Sequence, residues 1–184
     1  MDTKKAMGWF IIILMSLSIL GFIGGSLYGG NTTSTATEYN GFTFNNRNYR
    51  WETQIQGKTY AFQYLPSELE NITLNVPLDT WRSNPKMYLG YVPNDTIALQ
   101  PDLQLLGRVL FANGIIPQEA CTKEEGCPNI PLLDCRQKNG VVMRSGAESK
   151  YLQEDQCMVI EVADAADSSK LTERLIYGWL GVMP

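Results

Sequence analysis

The chain has 184 residues, with 15 lysines and arginines against 19 aspartates and glutamates, and its formal net charge is −4. This mild acidity offers no basic surface for nucleic acid or for anionic lipid. The chain contains no histidine, which excludes Ser-His-Asp and Cys-His nucleophilic centres and every metal site that needs imidazole.

The N-terminal region contains a long apolar segment. Residues 6–28 carry no charge, and Met7–Leu27 is almost wholly apolar. Because about twenty helical residues span roughly 30 Å, the thickness of the hydrocarbon core of a bilayer, this segment predicts a transmembrane helix in contact with lipid. Lys4 and Lys5 precede it, so the positive-inside rule predicts a cytoplasmic N-terminus at residues 1–5 and an extracellular C-terminal part at the cell membrane. The alternative is a cleavable signal peptide, whose apolar core usually has only about 7–15 residues.

Two features of this segment suggest assembly. Gly21, Gly25 and Gly29 lie four residues apart, on one helix face, where small residues let a second helix approach closely. This stripe predicts a homodimer or a partner transmembrane helix, although the glycines could instead simply loosen the helix. The run Lys4-Lys5-Ala6-Met7 resembles an archaeal class III (prepilin) signal that is cut after Ala6, which implies a pilin-like filament subunit. Gly8 departs from the larger apolar residue that this signal expects.

The amino-acid composition changes after residue 28. Residues 29–38 are rich in glycine, serine, threonine and asparagine and predict a flexible tether, followed by one extracellular domain at residues 39–184. Three Asn-X-Thr triplets, at Asn31, Asn71 and Asn94, predict glycosylation sites and agree with export.

The pattern in the first part of this domain predicts an antiparallel meander. Period-two alternation predicts strands at residues 41–44, 49–55 and 58–64, with turns at 45–48 and at Gln56-Gly57. Its aromatic residues form either one side of the core or an exposed face that binds a sugar or a peptide. They are Tyr39, Phe42, Phe44, Tyr49, Trp51, Tyr60, Phe62 and Tyr64.

The remaining pattern mixes strands and helices. Strands are predicted at residues 72–76, 87–92, 131–135, 141–144 and 157–162. One helix begins at Pro101 and ends at Asn113-Gly114, and a last helix is capped by Asp167 or Ser168. This order predicts an α+β fold with an antiparallel or mixed sheet and two main helices.

The four cysteines predict two disulfides, because an even count in an exported domain indicates a bridged framework. We expect a Cys121–Cys127 bridge that closes a polar turn. We also expect a Cys135–Cys157 bridge that joins two strand ends, with a hairpin over residues 141–153 between them. The spacings do not fit paired zinc knuckles, and no C-x-x-C redox motif is present.

Carboxylates are the only broad catalytic option that remains. Glu124-Glu125, Glu154-Asp155 and the pair Asp164 and Asp167 are candidates for the two acids of a glycosidase. Each pair stands beside turn residues, which favours solvated turns instead. The sequence therefore predicts no catalytic residue, cofactor or metal site.

The cysteine segment and the C-terminal tail carry a family resemblance. The segment runs Cys121…Gly126-Cys127-Pro128-Asn129-Ile130-Pro131-Leu132-Leu133-Asp134-Cys135…Asp155-Gln156-Cys157, and the tail runs Arg174-Leu175-Ile176-Tyr177…Leu180-Gly181-Val182. From Tyr39 onward the chain resembles small single-pass exported proteins of uncultured archaea, which form no named family. The resemblance implies location and fold and carries no assigned activity.

Together these patterns predict a membrane-anchored ectodomain of the cell envelope that acts as a non-enzymatic binding or assembly module. An extracellular carboxylate-dependent hydrolase and a pilin-like filament subunit are the alternatives. No partner is expected among nucleic acids, and the pattern names no ligand.

Overall fold

The computed structural model describes residues 35–95 and 97–184. The predicted cytoplasmic segment, transmembrane helix and most of the tether lie outside the described residues, and so do Gly21, Gly25, Gly29, Asn31 and the signal around Ala6. Of the helices in the described residues, none has the length and apolar character needed to cross a membrane.

The first unit of the fold is the expected meander. Strands β1 (Ala36–Tyr39), β2 (Phe42–Arg47), β3 (Arg50–Ile55) and β4 (Lys58–Phe62) pair antiparallel in chain order. The turn predicted at residues 45–48 is wrong, because β2 continues to Arg47 and the chain reverses at Asn48 and Tyr49. Both turn residues have positive φ angles, 50° and 61°, a conformation that asparagine tolerates better than most residues.

The second unit is a mixed five-stranded sheet. Its strands are β5 (Lys86–Tyr91), β6 (Ile116–Cys121), β7 (Gly140–Ser145), β8 (Lys150–Glu154) and β9 (Cys157–Val162), in the order β6-β5-β7-β9-β8. The first four in this order are parallel, and β8 pairs antiparallel with β9. The predicted hairpin over residues 141–153 is therefore wrong: β7 pairs in parallel with β9, and the hairpin joins β8 to β9.

Within residues 35–95 and 97–184, three helices accompany the sheets: a short α1 (Leu78–Arg82), α2 (Gln100–Ala112) and α3 (Ala165–Leu180), with a 3-10 turn at Pro66–Glu68. The two long helices confirm the prediction of two main helices in an α+β fold. Helix α3 begins earlier than predicted, because the Asp164 carboxylate accepts a hydrogen bond from the Asp167 N–H at 2.9 Å and thus caps the helix.

Two predicted strands are wrong. Residues 72–76 pair with no strand, and the Ile72 carbonyl instead accepts a hydrogen bond from the Arg174 side chain at 3.0 Å. Residues 131–135 form only an isolated bridge between Cys121 and Leu132. The pattern did not predict β1, β6 or β8 as strands. Of these, β6 contains Pro117, a residue that sheets accept mainly at their edges.

Helices α2 and α3 cover one face of the mixed sheet, and α3 also joins this sheet to the meander. The Tyr177 ring lies 4.2 Å from the Phe62 ring and 5.9 Å from the Phe44 ring, measured between centroids. All three side chains are buried in the main core. A smaller apolar cluster covers the other sheet face and is formed by Ala120, Leu133, Val142, Cys157 and Val159.

The four cysteines form two disulfides, Cys121–Cys127 and Cys135–Cys157. This confirms the expected pairing. The first bridge holds the segment that follows β6, and the second ties the loop before β7 to the start of β9.

Candidate functional site

The carboxyl ends of β5, β6 and β7 border a crevice of about 670 Å³. We call it the strand-end crevice. It is lined by Val92, Pro93, Asn94, Asp95, Thr122, Lys123, Leu133, Cys135, Val142, Arg144, Ser145 and Glu154.

The crevice lies at a change of direction in the sheet. The chain leaves β5 through α2 and enters β6 on one side, whereas it leaves β7 toward β8 and β9 on the other side. In open parallel sheets, ligands bind outside the carboxyl ends of neighbouring strands whose connections diverge in this way. The topology therefore makes this crevice the leading candidate site.

Asp95 and Ser145 join the two strand ends across the crevice. The Ser145 N–H donates to Asp95 Oδ2 at 2.8 Å, and the Ser145 hydroxyl donates to Asp95 Oδ1. Since the residues are 50 positions apart in the chain, these bonds position the loop after β5 against the end of β7.

Arg144 forms the charged side of the crevice. Its guanidinium donates to Glu154 on β8, at 2.6 Å and 3.2 Å, and to Glu161 on β9, at 2.7 Å and 3.1 Å. The hydrogen bond to Glu154, with that to Glu161, raises the pKa of Arg144 above its usual range against the effect of burial. The arginine thus stays charged and ties together three strands of the sheet.

The opposite side comes from the residues that follow β5 and β6. Thr122 donates to the Tyr91 carbonyl through its N–H at 3.0 Å and its hydroxyl at 3.3 Å. Asn94 has a φ of 58°, and its amide lies against Gly126, where a Cβ would collide with it. Lys123 is exposed and forms no ion pair with any residue the structure describes, so its ammonium group remains available at the rim.

The aromatic residues of the meander do not form one exposed face. Phe44, Tyr60 and Phe62 are buried, which favours the core interpretation for them. Tyr49 is 98% exposed at a turn. The other members are half-buried: Tyr39, Phe42, Trp51 and Tyr64.

The predicted carboxylate pairs serve separate local roles. Glu124 and Glu125 are exposed in the loop closed by Cys121–Cys127, and Glu154 is bound to Arg144 while Asp155 stands in the β8–β9 turn.

Asp164 caps α3, and Asp167 accepts a hydrogen bond from the Ser149 hydroxyl at 2.7 Å. This bond, with the Lys170 ammonium, lowers the pKa of Asp167. No metal-binding group of three or more acidic or cysteine side chains occurs among residues 35–95 and 97–184.

One buried carboxylate has no distinguishing pattern in the sequence. Glu173, on α3, is 1% exposed and accepts hydrogen bonds from the N–H groups of Gln63 at 2.8 Å and Tyr64 at 2.9 Å. Burial raises its pKa to about 7. Because it is almost fully buried and both oxygens accept from N–H groups just after β4, it acts as a structural link between α3 and the meander.

The remaining sequons differ in their surroundings. Asn71 is exposed beside the 3-10 turn, whereas Asn94 belongs to the rim of the strand-end crevice.

Comparisons of the chain with protein-family models, curated proteins and solved structures found no match. The site is therefore interpreted from its own geometry.

Proposed function

We propose that this chain is a membrane-anchored ectodomain of the cell envelope that binds a small neutral, hydroxyl-rich ligand, of the sugar class, in the strand-end crevice without catalysing a reaction. The observation that carries the proposal is the convergence of polar side chains at the carboxyl ends of β5 and β7, where the connections diverge.

The composition of the crevice favours a neutral ligand. The positive charges of Lys123 and Arg144 are balanced by the negative charges of Asp95 and Glu154. Hydroxyl groups suit such a site because each of them can donate to a carboxylate and accept from a cation.

The apolar side chains of the crevice also suit a sugar. Val92, Pro93, Leu133 and Val142 offer surface for the C–H groups of a sugar ring. A ligand that combines hydroxyl edges with such a ring face uses both parts of the lining.

The geometry favours binding over hydrolysis. A glycosidase needs two carboxyl groups that face one bond, one of them free to give up a proton. In the crevice both Glu154 oxygens accept from Arg144, and both Asp95 oxygens accept from Ser145. The carboxylate with a pKa raised to about 7, Glu173, is buried under the meander and cannot reach a substrate.

Saturation-transfer NMR on the full-length chain in lipid nanodiscs tests the proposal. Glucose, galactose, mannose and N-acetylglucosamine are the probes, and empty nanodiscs give the background. We expect at least one sugar to receive saturation from the protein. The variant Lys123→Ala should weaken its binding roughly tenfold or more, because a hydrogen bond from a charged donor contributes about 1.5–3 kcal/mol.

Arg47→Gln is the matched control, because it removes one exposed positive charge from β2, outside the crevice lining. Equal losses in the two variants would show that charge in general, and not the crevice, supports binding. Saturation of none of the four sugars above the empty-nanodisc background would refute the ligand class.

A further inference from the structure

A second surface, separate from the crevice, lies where α2 meets the edge strand β6. The side chains of one helix face project there, and the helix and strand enclose a mainly apolar groove of about 440 Å³. Two large apolar residues beside it are open to solvent: Phe111 is 69% exposed and Ile116 is 59% exposed. We call this the α2–β6 surface, formed by Gln100, Gln104, Arg108, Phe111, Ile116 and Glu119.

The outer edge of β6 is poorly suited to the addition of another strand. Pro117 has no N–H group, and the Cys121 N–H already donates to the Pro131 carbonyl at 3.0 Å. A proline in an edge strand limits pairing with further strands. A partner of this surface must therefore bind through side chains, by packing on Phe111 and on the groove.

The charges on the groove are complementary to one another. Arg108, from α2, and Glu119, from β6, both line it. The part of the chain that the structure describes offers neither side chain a hydrogen bond or an ion pair. A surface that carries an apolar centre flanked by one unpaired charge of each sign can pair with itself about a two-fold axis.

We propose that the α2–β6 surface binds a second copy of this chain. In the resulting two-fold dimer, Arg108 of each copy faces Glu119 of the other, and the two Phe111 side chains pack in the apolar centre. This arrangement covers the exposed aromatic ring and pairs all four charges, and it leaves the strand-end crevice of both copies free.

Photo-crosslinking of the full-length chain in membranes tests this dimer. Phe111 is replaced by p-benzoylphenylalanine, and Tyr49, which is 98% exposed on the meander, receives the same replacement as the control. Illumination should give a product of twice the chain mass from position 111 and none from position 49. Mass spectrometry should locate the link within residues 100–119 of the second copy. A product of any other mass, or none, would overturn the proposal.

Charge reversal then separates a specific dimer from crowding in the membrane. Arg108→Glu and Glu119→Arg should each reduce the crosslink yield by about tenfold or more, because like charges are brought together. The double variant should restore the yield. All three variants should keep the fold of the parent, as judged by circular dichroism, since both residues are exposed in the single chain. Single variants that crosslink as well as the parent, or a double variant that fails to recover, would contradict the predicted pairing.

Discussion

The buried carboxylate of Glu173 predicts an unusual dependence of stability on pH. It joins α3 to the meander through the N–H groups of Gln63 and Tyr64, and burial raises its pKa from 4.5 to about 7. Between pH 4.5 and pH 7, the folded chain therefore keeps on Glu173 a proton that the unfolded chain has released. By linkage, the stabilisation is fully present below pH 4.5 and is lost as the pH rises through 7.

The expected size follows from this shift. Each pKa unit corresponds to 1.36 kcal/mol, so the free energy of unfolding should fall by about 3 kcal/mol in total between pH 4.5 and 7.5. The chain has no histidine, which removes the side chain that ordinarily titrates in this range. The slope in this window therefore reports mainly on Glu173.

Urea unfolding of residues 35–184, followed by the fluorescence of Trp51, Trp81 and Trp179, measures this slope. In Glu173→Gln one N–H group of the meander faces an amide that cannot accept from it, which costs about 1–3 kcal/mol. We expect this variant to be less stable than the parent at pH 5, to show no slope, and to approach the parent by pH 7.5. A parent that is equally stable at pH 5 and pH 7, or a variant that keeps the slope, would refute the reasoning.

Three further results are expected. If the chain is exported through a glycosylating pathway, glycopeptide mass spectrometry should find Asn71 occupied and Asn94 unmodified, because the Asn94 amide is packed against Gly126; equal occupancy would contradict this. Replacing Cys135 and Cys157 together with serine should lower the free energy of unfolding by roughly 3.4 kcal/mol, and replacing the Cys121–Cys127 pair by roughly 2.4 kcal/mol, because the Cys135–Cys157 bridge closes the longer loop; urea unfolding gives the order. Tyr177→Phe should cost about 1 kcal/mol in the same assay, because its hydroxyl donates to the Tyr64 carbonyl at 2.7 Å; an unchanged stability would show that this bond contributes nothing.

Local patterns were sufficient for much of the secondary structure. Strands β2 to β4 follow from period-two alternation, and α2 follows from Pro101 near its start and Asn113-Gly114 at its end. The Cys121–Cys127 bridge was also predictable, because a polar turn of so few residues brings its ends together by itself. These features depend on residues that are close in sequence, where spacing alone carries the information.

The order of the strands depended on the tertiary structure. Residues 141–153 were predicted to form a hairpin, yet β7 pairs in parallel with β9, and β8, which lies between them in the chain, takes the antiparallel edge position beside β9. Strand β6 was missed because Pro117 breaks a strand pattern in general, whereas an edge position tolerates it.

The sequence by itself therefore determined the segments: an apolar span that predicts an anchor, an α+β domain, and cysteines spaced for two bridges. Only the tertiary structure brought Ser145 to Asp95, 50 residues away, and Gln63 to Glu173, 110 residues away. The crevice and the buried carboxylate both arise from such contacts. Their side chains are ordinary polar residues in the sequence, and they acquire shared chemistry only when the fold places distant strand ends and helices side by side.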